Sequence, residues 1–183
     1  MAIYIEGATK CPLCDLPVDI NDKANSIYFD PFIVNEFDAL FIFSGAVCHK
    51  KHFEQHPQHD AVLQRIAERT KHIEEEACYI SGTAITIDNY KNPANLIFTD
   101  KLVDDKQHPL YEYNYRYLNK YYLPTWSKLG EFVQLINELN QSGLWGGDYL
   151  SRLLTKVKSP VQPAWDPKMI AVYKARFEEQ VVL

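Results

Sequence analysis

Cys11-Pro12-Leu13-Cys14 is the stretch that decides how this chain is read. Two thiolates three residues apart on one turn reach a single ion, and Cys11-Pro-Leu-Cys14-Asp-Leu-Pro17 reads as a tight turn bounded by prolines. A structural site needs four donors, so a second pair must come from elsewhere. Cys48-His49-Lys50-Lys51-His52 follows 34 residues beyond Cys14, at the predicted start of a helix. His49 and His52 are spaced i, i+3, and Cys48 and His52 are spaced i, i+4, so either pair shares a helix face. The residues alone leave that choice open.

Working outward, residues 3–5, Ser26–Asp30 and Ala39–Ser44 read as strands by their β-branched and aromatic content. From about Cys48 the pattern is helical, and Pro57 marks a break. Asp60 to about Ala77 reads as an amphipathic helix capped by Asp60, with Val62, Leu63, Ile66 and Ile73 as its apolar positions. Cys78-Tyr-Ile-Ser81-Gly82 opens a second β-rich stretch, in which Ala84–Ile87 and Asn95–Thr99 read as strands. Tyr111, Tyr113, Tyr115 and Tyr117 alternate with a period of two, which places them on one face of a strand. Arg116 is the only base in that run before Lys120, which favours packing over a base-stacking platform. Pro124 breaks the chain, and Thr125 is placed to cap a helix from Trp126 to about Leu139. Gly143–Gly147 is a turn, and Tyr149 to about Val157 a further helix. Ser159–Pro167 reads as a rigid extended linker, with Pro167 opening a last helix that runs to about Val181.

The two β-rich stretches echo one another. Cys11-Pro-Leu-Cys14 aligns with Cys78-Tyr-Ile-Ser81 at an offset of 67, and Asn25–Asp30 with Asn95–Asp100 at an offset of 70. Phe41 and Phe43 then meet Tyr111 and Tyr113, and Lys50 meets Lys120. Two related units are expected, each a turn, a few strands and a helix. The positions matching the candidate donors of the first unit read Cys78, Ser81, Asn119 and Tyr122, a poor set for zinc.

A Cys-x2-Cys turn, a β-hairpin and a ligand pair on the first turn of a helix resemble a treble-clef zinc finger. The resemblance covers about residues 8–55. Such fingers often end in His-x2-Cys followed by an aromatic or aliphatic residue, and His49-Lys-Lys-His52-Phe53 is similar, with His52 in place of the usual cysteine. The resemblance implies a structural Zn2+ held by Cys11, Cys14, His49 and His52. An alternative set exchanges His49 for Cys48, although the counterpart of Cys48 in the second stretch is the apolar Leu118. His56 and His59 continue the histidine series. A second or catalytic metal there would draw on Glu54 and Asp60, but Pro57 disturbs the helix between them, and a solvated histidine face is expected.

The 183 residues are 46% hydrophobic and 23% charged, a globular composition without the about 18-residue apolar run of a membrane span. MAIYIEGATK lacks the marks of a signal peptide, so a reducing cytoplasmic setting is expected, where a close cysteine pair reads as a metal or redox site. No βαβ pattern surrounds the pair, which argues against thioredoxin-like redox chemistry. No Gly-rich phosphate loop, Gly-x-Ser-x-Gly or His-Glu-x2-His motif occurs, so no catalytic residue is singled out. Residues 1–79 hold 13 acids and 7 bases, whereas residues 80–183 hold 11 and 12. The acidic first part suits encounter with a basic protein partner.

The expected architecture is α+β. A treble-clef-like zinc unit (1–57) precedes a metal-free β-hairpin and helix unit (58–158), and a Pro-rich linker with a C-terminal helix (159–183) ends the chain. The expected role is a zinc-stabilised protein–protein interaction module, of the immunity or antitoxin kind, that blocks a basic partner. Nucleic-acid binding through the finger is the alternative, with Lys50 and Lys51 as its local support, and a metal-dependent hydrolase is a third. No membrane partner is expected, and the C-terminal arm is a candidate for pairing with a second copy.

Overall fold

The computed structural model describes residues 9–74 and 77–181, with side chains through residue 176. The helix expected to run to about Ala77 ends at Ile73, with Ala77 in a bridge to Ala84. The strand expected at residues 3–5, and Glu75 and Glu76 of that expected helix, lie outside the described residues. Those described form a mixed α+β fold of two two-stranded antiparallel sheets and six α-helices. None of these helices is long and apolar enough to cross a membrane. The residues fall into two compact units. One contains the described residues up to Glu74 together with Ser142–Tyr149, and the other residues 77–141 and the described residues from Leu150 on.

The first unit opens on the cysteine turn. Lys10 bridges to Pro17, while the Cys11 N–H donates to the Leu16 carbonyl and the Asp15 N–H to that of Cys11, both at 2.9 Å. Strand β1 (Ser26–Tyr28) pairs with β2 (Val47–His49), which sets Ser26 opposite His49 and Ile27 opposite Cys48. Two helices follow, α1 (Lys50–Glu54) and α2 (His59–Ile73). Cys48 is thus mid-strand, and the helix expected from it begins two residues later.

The strand expected over Ala39–Ser44 is instead a 3-10 turn at Phe41–Phe43. Asp38 causes the curl: its carboxylate accepts from the Leu40 N–H at 2.8 Å and its carbonyl from that of Phe41 at 2.9 Å. The turn drops Phe43 into a cluster with Phe29 and Phe53, whose rings meet edge to face at 4.8 Å (Phe29–Phe53) and 5.8 Å (Phe43–Phe53). Asp38 also receives Arg65 Nη1 at 3.0 Å, which ties α2 to this turn. Asp60 is not the cap of α2 but lies in its first turn, where an acid suits the helix dipole. Only Val62 and Ile66 of its expected apolar positions meet the core, and Leu63 and Ile73 are exposed.

Asn35 fastens Ser142–Tyr149 to this unit. Its Oδ1 accepts from the Gly146 N–H at 2.9 Å, and its Nδ2 donates to the Leu144 carbonyl at 3.3 Å. Gly147 has left-handed φ (82°), which favours glycine, and both glycines are closely approached by side chains. A Cβ on Gly146 would stand 2.7 Å from the Phe37 ring, and one on Gly147 2.7 Å from the Glu36 carboxylate.

In the second unit, β3 (Leu96–Thr99) pairs antiparallel with β4 (Arg116–Asn119). The strand expected over Ala84–Ile87 is a single bridge at Ala84, after which α3 (Ile87–Tyr90) begins. The alternating tyrosines are not on one strand. Pro109–Tyr113 is a 3-10 turn, Tyr115 has left-handed φ (56°), and β4 starts only at Arg116. Tyr113 and Tyr115 are nevertheless buried, Tyr113 within 5.7 Å of the Trp126 and 5.0 Å of the Phe132 ring centroids. Helix α4 (Leu129–Gln141) starts three residues later than expected, because Leu123–Thr125 forms another 3-10 turn and the Thr125 hydroxyl donates backwards to Tyr122. Helix α5 (Tyr149–Lys158) is followed by the proline-rich stretch and α6 (Pro167–Val181), capped by Asp166 through the Lys168 and Met169 N–H groups.

The proline-rich stretch is held along its length. Buried Asn95 exchanges two hydrogen bonds with the Gln162 backbone at 2.7 and 2.9 Å, and the Trp165 N–H reaches the Lys91 carbonyl at 2.9 Å. Lys174 pairs with Asp88 at 2.7 Å, so α6 lies back on α3 of its own unit.

The local bonding of one unit recurs in the other. At an offset of 67, the Lys10–Pro17 bridge becomes Ala77–Ala84, Cys11 N–H to Leu16 becomes Cys78 N–H to Thr83, and left-handed Asp15 becomes left-handed Gly82. At an offset of 70, Ser26 opposite His49 becomes Leu96 opposite Asn119. Lys50 N–H to Asn25 becomes Lys120 N–H to Asn95, both at 2.9 Å. Ser44 Oγ accepts from the Phe32 and Ile33 N–H groups as Asn114 Oδ1 accepts from those of Leu102 and Val103. Left-handed Gly45 becomes left-handed Tyr115.

Candidate metal centre

Three elements deliver four donors to one point. The turn supplies Cys11 and Cys14, the end of β2 supplies His49, and α1 supplies His52. One ligand atom from each lies within 4.8 Å of all the others. His49 ends β2 with extended backbone (φ −64°, ψ 125°) and is the residue just before α1. His52 is then one helical turn on, and the two rings meet at 5.2 Å.

The four donors lie close enough together to bind one metal ion. Zinc bonds of about 2.3 Å to sulfur and about 2.0–2.1 Å to nitrogen give tetrahedral S···N edges of about 3.5 Å. Cys14 Sγ and His49 Nδ1 stand 3.4 Å apart. The His49 N–H points at Cys11 Sγ at 3.4 Å, a donor that stabilises a thiolate. His52 Nδ1 is buried and has no hydrogen-bond partner among the described residues. A buried imidazole nitrogen left without a partner is costly unless something electrophilic meets it, and a metal ion would do so.

Cys48 is not among the four donors. It is fully buried beside Cys11, and burial first, then the charge of and hydrogen bond to Cys11, push its thiol up to about 12. It is a buried thiol beside the cluster, a placement that the spacing alone did not reveal. His56 and His59 also lie outside the cluster. His56 packs on Phe43 at 5.2 Å and His59 on Phe53 at 4.8 Å, so they cover the aromatic core and do not form a purely solvated face.

In the second unit, Tyr79 donates to Glu112 Oε2 at 2.7 Å and Lys128 to Oε1 at 3.0 Å. These bonds, Tyr79 first, hold the Glu112 carboxyl below its ordinary range. Burial, followed by Glu112, raises Tyr79 to about 12.

Comparison of the chain with protein-family models, with curated proteins and with solved structures found no match.

Proposed function

We propose that Cys11, Cys14, His49 and His52 hold a structural Zn2+ in a treble-clef-like finger, and that the chain is a zinc-stabilised protein–protein interaction module. The convergence of the four donors, with buried His52 Nδ1 otherwise partnerless among the described residues, carries the metal reading. Four protein donors complete a tetrahedron and leave no position for substrate, which suits a structural ion. Zinc would supply cross-linking between the turn and α1, and the chain's own residues would supply the binding surface.

Two features support the interaction role. Phe37 and Leu144 are 68% and 72% exposed on the two segments that Asn35 ties together, and we assign these apolar side chains to the binding surface. The acidic balance of residues 1–79 favours a basic partner, as an immunity-type inhibitor would need.

Elemental analysis of purified protein should give one zinc per chain. Affinity capture should then retain a basic protein that the Phe37→Asp, Leu144→Asp double variant loses while it keeps its zinc. Protein without zinc overturns the metal reading. Zinc-loaded protein whose captured partners are unchanged by the double variant overturns the interaction surface.

A further inference from the structure

We infer that the second unit is a metal-free copy of the finger, and that Cys78, Ser81, Asn119 and Tyr122 outline a latent metal site that three substitutions complete. The inference rests on the metal reading of the first unit and on the bonding repeated between the units. The Cys78 turn repeats the Cys11 turn in its bridge, its N–H to carbonyl bond and its left-handed residue. It is also seated against the matching strand. The Tyr79 N–H donates to the Tyr117 carbonyl at 2.8 Å, and Cys78 bridges to Tyr117, two residues before Asn119. Asn119 ends β4 as His49 ends β2, opposite Leu96 as His49 is opposite Ser26. Tyr122 follows Asn119 by three residues, as His52 follows His49.

The side chains at these positions show how the copy holds together without an ion. Cys78 and Asn119 are each 1% exposed. Asn119 Oδ1 accepts from the Tyr121 N–H at 3.1 Å, and its Nδ2 donates to the Asn89 carbonyl at 3.4 Å. Ser81 Oγ is bonded to Thr83 Oγ1 at 2.8 Å. Local hydrogen bonds hold Ser81 and Asn119 where metal bonds would hold their counterparts. Cys78 is the one soft ligand retained.

The test is the triple variant Ser81→Cys, Asn119→His, Tyr122→His, titrated with Co2+ alongside the unaltered protein. The inference predicts two Co2+ per chain for the variant against one for the unaltered protein, with visible bands of a tetrahedral site bearing two sulfurs and two nitrogens for both equivalents. A folded variant that still binds one equivalent overturns it. If the triple variant does not fold, Ser81→Cys alone decides the matter. Zinc-loaded, it should take up one equivalent of the dithiol reagent phenylarsine oxide that the unaltered protein does not, and no uptake overturns the inference. Unaltered protein that binds no Co2+ overturns the metal reading of the first unit instead. The second site is then read separately, by adding Cys14→Ser to the triple variant and counting whether one equivalent remains.

Discussion

Removal of the metal should unfold the first unit and leave the second intact. A structural zinc in a small finger supplies about 10–16 kcal/mol of apparent binding free energy at neutral pH. A core in a unit of under about 80 residues rarely supplies more than about 3–5 kcal/mol. The described part of the first unit packs two short strands, a 3-10 turn, α1 and α2 around a core that includes Phe29, Phe43 and Phe53, and its hairpin is only three residue pairs long. On the proposed zinc reading, the metal term is larger than what a core of this size supplies, and its loss exceeds the reserve. The second unit has its own core on Tyr113, Trp126 and Phe132 and no ion to lose. The three tryptophans separate the outcomes, because Trp145 belongs to the first unit and Trp126 and Trp165 to the second. In a proton–nitrogen correlation spectrum, a strong chelator should move the Trp145 indole signal to its unfolded position while the other two stay. If all three move together the units are not independent, and if none moves the ion is not structural. Lowering the pH should produce the same selective loss, since the ligands bind metal only when deprotonated.

Asp38→Ala removes both the acceptor for the Leu40 N–H and one ion-pair partner of largely buried Arg65, and urea unfolding of the protein should show a loss of about 1–3 kcal/mol. Asn95→Ala strips a fully buried amide from three hydrogen bonds, so a stability loss of about 2–4 kcal/mol and new proteolytic cleavage within residues 159–166 are expected. Gly147→Ala should cost about 1–2 kcal/mol in thermal unfolding of the first unit, since φ is 82° and the added Cβ meets Glu36. Glu112 has a folded pKa below its ordinary 4.5, so its stabilising effect is present above that value and is lost as pH falls through the lower folded pKa. Glu112→Gln should flatten the acid limb of second-unit stability, a small effect because the carboxylate is half-exposed.

The donors were legible because metal ligation ties residue type to spacing. Cys-x2-Cys and His-x2-His each fix local geometry, and only their meeting needed the fold. The aromatic runs were misread for an equally physical reason. Ala39–Ser44 and Tyr111–Tyr117 have strand composition, but Asp38 and His108 accept hydrogen bonds two residues ahead and wind the backbone into 3-10 turns. Left-handed Gly45 and Tyr115 then reverse it. Gly45 is a visible signal for such a turn, whereas a buried tyrosine at positive φ is not, and only its alignment with Gly45 points to it. Gly146 and Gly147 could be read as a turn but not as the docking point of Asn35, which lies 111 residues away from Gly146 in sequence. The placement of Cys48 was hidden by the same distance, since nothing near it in the chain says that its thiol lies beside Cys11.

The docking of Ser142–Tyr149 sets an order of events during synthesis. The first unit lacks a piece of its surface until residue 149 has left the ribosome, by which time most of the second unit has been made. At translation rates of about 5–20 residues per second, that interval is roughly 4–15 s. Zinc capture by the cysteine turn and α1 can precede it, because all four donors lie within the first 52 residues. A nascent finger would be closed by metal first and sealed by Gly146 afterwards, with Asn35 and Phe37 open to other molecules in between.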